Sequence, residues 1–301
     1  MYDQVADNKR RSLVLTATFV VLVGAVVAMV LYLFDFGIVG VAIALVVAGG
    51  SAFGSYWKSD AIALRVSRAQ SADPVTYARL HNLVEGLCIA SGLGKPAIYV
   101  IDDAAPNAFA TGRSPKHASI AVTTGLLDRM DRVELEAVLA HELSHVRNDD
   151  ILVSTLAVTM VGLVTLVADF SIRMMWWNGG RRGRNDREGG AAPWLGFIGL
   201  GLLYLSPLLS RLLRFAVGRR RESAADVSAI EMTRYPPGMI SALEKLRDDT
   251  TVVHASSRAT AHLWIEAPVA LDESEGRLSR WNRLFNTHPP IEERIAALRE
   301  L

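Results

Sequence analysis

The chain has 301 residues, half of them hydrophobic, and a mean hydropathy of +0.24, which is too apolar for an ordinary soluble enzyme. Its formal net charge of +1 gives no basis for nucleic-acid binding. The one cysteine, Cys88, excludes an intrachain disulfide and is compatible with a reducing, cytoplasmic location for the soluble part.

Four long uncharged segments account for the apolar excess: residues 13–34, 36–57, 151–168 and 191–210. A helix rises about 1.5 Å per residue, so each segment is long enough, or nearly so, to cross a hydrocarbon core of about 30 Å. Asp35 alone separates the first two, which predicts a transmembrane hairpin rather than a cleaved signal peptide. The last two predict a second hairpin, for which a shallow or re-entrant insertion is the alternative.

Positive charges predict the orientation of the first hairpin. They flank both of its ends but are absent from its turn: Lys9, Arg10, Arg11, Lys58, Arg65 and Arg68. The positive-inside rule therefore places both ends in the cytoplasm. Arginines between the last two apolar segments weaken this rule for the second hairpin without reversing it. We expect a multi-pass protein of the cell membrane whose soluble part faces the cytoplasm.

The segment His141-Glu142-Leu143-Ser144-His145 has the spacing of a zinc-hydrolase active site. On a helix, residues i and i+4 lie on one face, so both imidazoles can reach one ion. Glu142 is displaced from that pair but close enough to act on a water, as a general base does. Dense charges on both flanks of the motif, which we expect on a helix that begins near Asp131, argue against an intramembrane protease.

The third metal ligand must come from farther along the chain, because no histidine follows the motif at the spacing that some zinc hydrolases use. Glu222 is the best candidate. Asp226 lies one helical turn later and can accept the free N–H of a ligating imidazole. The alternative is a solvated, arginine-flanked helix start. Asp149 and Asp150 are rival carboxylates, which we assign to a helix end at the membrane surface.

These motifs together resemble those of the HtpX-type membrane zinc metallopeptidases, which are related to the CAAX prenyl proteases. The resemblance covers nearly the whole chain and includes residues 106–112, 141–145, 221–226 and 287–294, in the same order. It implies an ATP-independent endopeptidase that cleaves misfolded or membrane proteins from the cytoplasmic side in protein quality control. It further implies one Zn²⁺ per chain, held by His141, His145 and Glu222, with Glu142 as the base and Asp226 as support.

The expected fold is therefore α+β and mostly helical, with transmembrane helices that carry a cytoplasmic zincin-like catalytic domain. That domain contains a small β-sheet and the active-site helix. Residues 1–57 form the N-terminal hairpin, and residues 151–216 form the second transmembrane or membrane-embedded hairpin. Residues 58–150 and 217–301 form the two parts of the catalytic domain.

Four further positions are candidates for contact with substrate. Residues 116–123 are predicted to form a strand, and Ala118 and Ile120 would bind an extended substrate if that strand is at an edge of the sheet. If it is central, it is an ordinary core strand. Asn107 either contacts substrate or simply forms a turn after Pro106. Arg294 is a candidate for stabilising an oxyanion.

His288 has two interpretations. The resemblance implies that it faces the substrate and stabilises the tetrahedral intermediate, as a catalytic group. Alternatively, the segment Thr287-His288-Pro289-Pro290 only opens a terminal helix over residues 291–301, because proline favours the first turn of a helix.

Two non-proteolytic alternatives are weaker. A structural zinc needs four protein ligands, commonly cysteines, whereas only three are visible and Cys88 lacks zinc-site spacing. A metal transporter needs ionisable residues within its spans, and the four apolar segments contain no charge. The expected partners are therefore polypeptide substrates and the lipid bilayer, without nucleic acid. The oligomeric state is left open.

Overall fold

The computed structural model describes most of the chain: residues 2–33, 36–156, 173, 197, 198, 200–202, 204, 205, 219–249, 251, 264, 265 and 290–300. Two long helices begin the fold, α1 (Tyr2–Leu33) and α2 (Gly37–Val66). Their most apolar windows, Ser12–Met29 and Gly37–Gly54, are long enough to cross a membrane. Only 33% and 22% of these windows are buried inside the protein, so most of their apolar side chains face outward, as lipid-facing side chains do. Both helices match the first predicted pair of spans.

Four short strands form one mixed sheet: β1 (Gln70–Ser71), β2 (Ala97–Ile101), β3 (Ala108–Gly112) and β4 (Ala118–Thr123). Their order is β1-β2-β4-β3, with β4 parallel to β2 and antiparallel to β3. Gly112 ends β3 at a positive φ of 148°, which a residue with a side chain rarely adopts. The predicted small sheet is present, and β3 rather than β4 lies at its edge among the described strands.

The prediction that Ala118 and Ile120 bind substrate by strand addition is wrong. Both residues lie in β4, which pairs with β2 on one side and β3 on the other. Its backbone donors and acceptors are therefore used within the sheet, and both side chains are buried in the core. The strand is also shorter than predicted, because residues 115–117 form a 3₁₀ turn before it.

Six further helices lie in the described residues after α2: α3 (Ala78–Ser91), α4 (Thr124–Arg129), α5 (Arg132–Arg147), α6 (Arg219–Thr233), α7 (Pro236–Asp248) and α8 (Ile291–Arg299). Helix α5 lies at the centre and packs against α3, α6, α7 and β3. Its apolar side chains, including Leu135, Leu139 and Leu143, are fully buried in the core formed with the sheet. This central position holds the His141–His145 segment rigidly within the protein.

A capping box defines the first turn of α5. The Asp131 carboxylate accepts hydrogen bonds from the backbone N–H groups of Val133 and Glu134, while the Glu134 carboxylate accepts from the Asp131 N–H. The helix thus begins where the sequence predicts. The terminal helix α8 also begins at the predicted residue, Ile291.

The second predicted hairpin lies mostly outside the described residues. Residues 150–156 are helical, and Val153 and Leu156 are buried against the α1–α2 hairpin, as are Ile198 and Leu202. The beginning of the third apolar segment therefore packs on the N-terminal hairpin. Whether the segment spans, and where the four predicted parts of the chain divide, stay predictions.

Candidate active site

Three side chains from two helices converge at the centre of the fold. His141 and His145 lie one turn apart on α5, with their Nε2 atoms 3.2 Å apart. Helix α6 supplies Glu222, whose Oε2 atom is 3.6 Å from Nε2 of His141 and whose Oε1 atom is 3.7 Å from Nε2 of His145. The structure thus brings together the three residues that the sequence singled out as ligands.

The geometry of this group fits a four-coordinate ion. Zinc lies 2.0–2.2 Å from nitrogen and oxygen ligands, so two ligand atoms in a tetrahedral site are about 3.3 Å apart. The two Nε2 atoms are 3.2 Å apart, close to that value, and each has a different Glu222 oxygen at 3.6 or 3.7 Å. With one ligand atom taken from each residue, all three lie within 4.8 Å of one another. Two imidazoles and one carboxylate are also the donor types of a catalytic zinc site, and a cation offsets the repulsion between converging lone pairs.

The group is buried, and His145 is its most exposed member. The side chains of His141 and Glu222 are only 1% and 3% exposed, whereas that of His145 is 15% exposed. Among the described residues, the group that can hold a metal contains three members. A fourth coordination position facing the more exposed side is what a hydrolytic site requires.

A carboxylate supports each histidine at its other ring nitrogen. Oδ1 of Asp226 is 2.9 Å from Nδ1 of His141, and Oδ2 of Asp150 is 3.3 Å from Nδ1 of His145. A carboxylate at Nδ1 retains the proton on that nitrogen and leaves Nε2 free to bind a metal. The arrangement orients both imidazoles toward Glu222.

Asp150 lies at a helix end, as predicted, and also contacts His145, which was not predicted; its place on the membrane surface stays a prediction. Helix α5 ends at Arg147, and Asp149 adopts a positive φ of 56°, which interrupts the helix. Asp150 is thereby buried at the beginning of the next helical segment, next to His145. The sequence signal was weak because a separation of five residues does not place two side chains together on a regular helix.

The pKa values of both histidines indicate a strongly negative site. Burial lowers the pKa of His141, but hydrogen bonds to Asp226 and Glu222 outweigh burial and raise it to about 9. Burial likewise lowers the pKa of His145, and the interactions with Asp150 and Glu222 raise it above its ordinary value. Such a potential favours a bound cation.

Glu142 is buried beside the two histidines. Burial raises the pKa of its carboxyl, while the charges of His141 and His145 and a hydrogen bond from the backbone N–H of Ala110 oppose that shift without cancelling it. A raised pKa suits a group that must accept a proton near neutral pH. The contact with Ala110 also places the edge strand β3 next to Glu142.

Arg294 is buried behind the metal-binding group and is not accessible to a substrate. Its side chain is 1% exposed and donates from Nε and Nη2 to the Asp226 carboxylate, at 2.9 and 2.6 Å. Its Nη1 donates to the backbone oxygen of Ile265 at 3.3 Å. Burial raises the pKa of Asp226, but the charge of Arg294 and its hydrogen bonds lower it overall. The guanidinium thus stands behind the carboxylate that supports His141.

Asn107 and His288 are the two remaining candidates for contact with substrate. Asn107 is buried, and its Oδ1 atom accepts the N–H of Ala108, as the turn interpretation requires. Its contact with substrate stays a prediction. His288 lies outside the described residues, so both of its interpretations stay predictions.

Comparison with known proteins identifies the family of this chain through its sequence. Residues 74–301 match the family described as Peptidase family M48. The chain is 40% identical over 301 residues to a "Protease HtpX homolog" of Thermoanaerobacter pseudethanolicus, covering 100% of this chain and 98% of the relative. It is 39% identical over 309 residues to one of Streptococcus uberis, covering 100% of both. Among solved structures, S. mikatae Ste24p is similar at a TM-score of 0.47 and 17% identity, covering 99% of this chain and 67% of that one.

Proposed function

Since this chain belongs to peptidase family M48 and is an HtpX-type membrane metalloendopeptidase, we propose that it hydrolyses misfolded or membrane proteins at the cytoplasmic face with one zinc ion. The observation that carries this proposal is the group of His141, His145 and Glu222, whose ligand atoms, one from each residue, lie within 4.8 Å of one another. Glu142 lies beside this group and is positioned to act on a water.

In the proposed mechanism, His141, His145 and Glu222 hold the metal. When bound, zinc acts as a Lewis acid and lowers the pKa of water toward about 7. Glu142 accepts a proton from the water that attacks the scissile carbonyl and delivers it to the departing amine. Asp226 and Asp150 keep the two imidazoles in the orientation that metal binding requires. His288 is a further candidate for stabilising the oxyanion.

We further propose that an extended substrate binds along β3. The N–H of Thr123 donates to the carbonyl of Asn107, and hydrogen-bonded pairs alternate along an antiparallel ladder. The backbone groups of Ala108, Ala110 and Gly112 therefore point away from β4. The Ala108 carbonyl already accepts the N–H of Ile265, the Ala110 N–H donates to Glu142 and the Gly112 N–H donates to the Thr155 hydroxyl. A substrate strand would therefore donate to the outward-facing carbonyl of Ala110, next to Glu142.

The cytoplasmic orientation has its support in the charges that flank the first hairpin. Lys58 and Arg65 lie in the last part of α2, beyond the apolar window Gly37–Gly54, and Arg10 precedes the window of α1. The positive-inside rule places these ends, and the catalytic part that follows α2, in the cytoplasm. Quality-control substrates are those that the family resemblance implies.

The test is zinc content and proteolysis measured on the same detergent-purified protein, with unfolded casein as substrate. Glu142→Gln keeps the shape of the base, so we expect unchanged zinc content and a loss of kcat of about 10²–10⁴-fold. Glu222→Ala should lower zinc content. Glu136→Gln, on the same helix and half-buried, is the matched control and should resemble the wild type.

The possible outcomes separate the enzyme from a zinc scaffold. Cleavage that requires zinc and is lost in Glu142→Gln supports the proposed hydrolysis. Full activity in zinc-loaded Glu142→Gln would contradict the role of the base. Equal zinc in both proteins, with no cleavage by either, would instead favour a structural metal.

A further inference from the structure

We propose that Arg294 is a positioning residue that couples the metal ligand His141 to the edge strand β3, so that one side chain affects both metal retention and substrate binding. This inference rests on the proposed zinc-dependent hydrolysis. It assigns Arg294 no contact with the substrate. The residue acts through Asp226 on one side and through Ile265 on the other.

The first half of the connection runs toward the metal ligands. Arg294 donates two hydrogen bonds to Asp226, one to each carboxylate oxygen, and Oδ1 of Asp226 is also 2.9 Å from Nδ1 of His141. The Arg294 and Asp226 side chains are almost completely buried. A two-point contact between guanidinium and carboxylate fixes the plane of the carboxylate, and hence the direction from which it holds the imidazole.

The second half runs toward the substrate strand. Nη1 of Arg294 donates to the carbonyl of Ile265, and the N–H of Ile265 donates to the carbonyl of Ala108 at 3.0 Å. The neighbouring Trp264 is fully buried, with its ring edge-on to Phe109 of β3 at 4.9 Å between centroids. Residues 264 and 265 are thus held against β3 on one side and Arg294 on the other.

This placement determines where a substrate strand can begin to pair. Ile265 already uses the outward-facing carbonyl of Ala108. At Ala110, the next outward-facing residue, the N–H donates to Glu142, so the Ala110 carbonyl is the group that would accept from a substrate strand. A displaced Ile265 would expose one more pairing position and permit a shifted register. Arg294 therefore helps to keep the scissile bond aligned with the base.

Arginine is suited to this role in a way that lysine is not. The guanidinium presents donors in several fixed directions, so it can bond both oxygens of Asp226 and the Ile265 carbonyl at once. An ammonium group retains the charge but cannot reproduce the two-point contact. A Lys substitution should thus disturb geometry while leaving Asp226 with a buried counter-charge.

The experiment compares Arg294→Lys, Arg294→Met and Asp226→Asn with the wild type. Zinc affinity is measured by competition with a chelating dye, and kcat and KM are measured at saturating zinc with a peptide substrate. Melting temperature is recorded in the same detergent. Arg299→Met is the matched control, because Arg299 lies on the same helix but is exposed and pairs only with the Glu244 side chain in the described contacts.

We expect both Arg294 variants to lower zinc affinity about 10–100-fold and to raise the KM of the zinc-saturated enzyme about tenfold. Asp226→Asn should lower zinc affinity with KM within about twofold of the wild type, because the Arg294–Ile265 contact remains. Arg299→Met should change neither quantity. If Arg294→Met fails to fold, Arg294→Lys and Asp226→Asn still give the comparison.

Three results would overturn the inference. In Arg294→Lys, unchanged zinc affinity and KM with only a lower melting temperature would mean that the residue is merely structural. Reduced zinc affinity with unchanged KM would refute the coupling to β3. A KM increase of similar size in Asp226→Asn would refute a separate path through Ile265. Failure of the wild type to cleave any substrate would contradict the proposed function instead, and zinc affinity would still test the His141 half.

Discussion

Buried carboxylates orient the histidines of the candidate site. Asp226 and Asp150 approach Nδ1 of His141 and His145 from two different helical segments, which leaves both Nε2 atoms directed toward Glu222. Asp150 also forms an ion pair with Arg221, whose Nε is 3.7 Å from Oδ1 of Asp150. A carboxylate that supports a ligating imidazole raises its basicity and fixes its direction, so Asp150 should contribute to metal affinity without touching the metal.

Asp150→Asn should lower zinc affinity about 10–100-fold, because an amide is a weaker acceptor for the His145 N–H. Dye competition on the purified protein measures this affinity. Asp128→Asn, which changes an exposed carboxylate on α4, is the control and should leave zinc binding unchanged. A zinc affinity for Asp150→Asn equal to that of the wild type would show that His145 does not need this partner.

Helix α5 derives its rigidity from its first turn as well as from its apolar side chains. Besides closing the capping box, the Glu134 carboxylate accepts from the hydroxyl of Ser241 at 2.6 Å and from Nζ of Lys245 at 2.5 Å, both on α7. The carboxylate is nearly inaccessible to solvent. One buried residue therefore fixes both the start of the active-site helix and its contact with α7.

Glu134→Gln should lower the free energy of unfolding by about 1–3 kcal/mol at neutral pH, because it weakens charge-assisted hydrogen bonds in a buried place. Glu244→Gln, which alters a more exposed ion pair on α7, should cost less than about 1 kcal/mol. Thermal denaturation in detergent compares the two variants. Equal melting temperatures would contradict the proposed importance of Glu134.

The same substitution has a predicted pH dependence. Burial raises the pKa of Glu134, but the hydrogen bonds from Lys245, Ser241 and the Asp131 N–H outweigh it and hold the pKa below its ordinary value of 4.5. A carboxyl whose pKa is lower in the folded state stabilises the fold above its unfolded pKa and loses this contribution as pH falls through the folded pKa. The stability difference between wild type and Glu134→Gln should thus be complete at neutral pH and shrink below about pH 4.5.

Over the molecule as a whole, helix α2 connects an apolar segment long enough to span a membrane with the β-sheet. Its apolar window ends at Gly54, while the helix continues to Val66 and buries Ala63 and Leu64 against Phe109 and Trp264. Near the end of the window, the guanidinium of Arg113 stacks over the ring of Trp57 at 4.8 Å. The edge strand β3 is therefore held next to the end of a span, where a segment that emerges from the bilayer can reach it.

The proposed cytoplasmic orientation predicts opposite labelling of two engineered cysteines in a Cys88→Ala background. Ile89 is 78% exposed on α3, and Phe36 is exposed at the turn between α1 and α2. A membrane-impermeant maleimide should label Ile89→Cys only in inside-out vesicles and Phe36→Cys only in intact cells stripped of their wall. The reverse pattern would invert the topology, and labelling of both from one side would contradict the hairpin.

Local patterns were sufficient for a large part of this protein. The family, the N-terminal apolar pair and the placement of His141 and His145 on one helix face follow from segment length, from the i, i+4 spacing and from motif order, because all of these depend on nearby residues. The capping box at Asp131 likewise involves residues only three positions apart.

Contacts between residues far apart in sequence could be determined only from the tertiary structure. The order of the sheet makes β3 the edge and β4 the centre, and alternation along either strand cannot distinguish the two. Asp150 reaches His145 because the helix is interrupted at Asp149. Arg294 meets Asp226 across 68 residues of sequence, since α6 and α8 pack together in the core. Such pairings depend on which helices and strands lie side by side. That arrangement is set by the packing of the whole core, so the spacing of residues along the sequence does not reveal it.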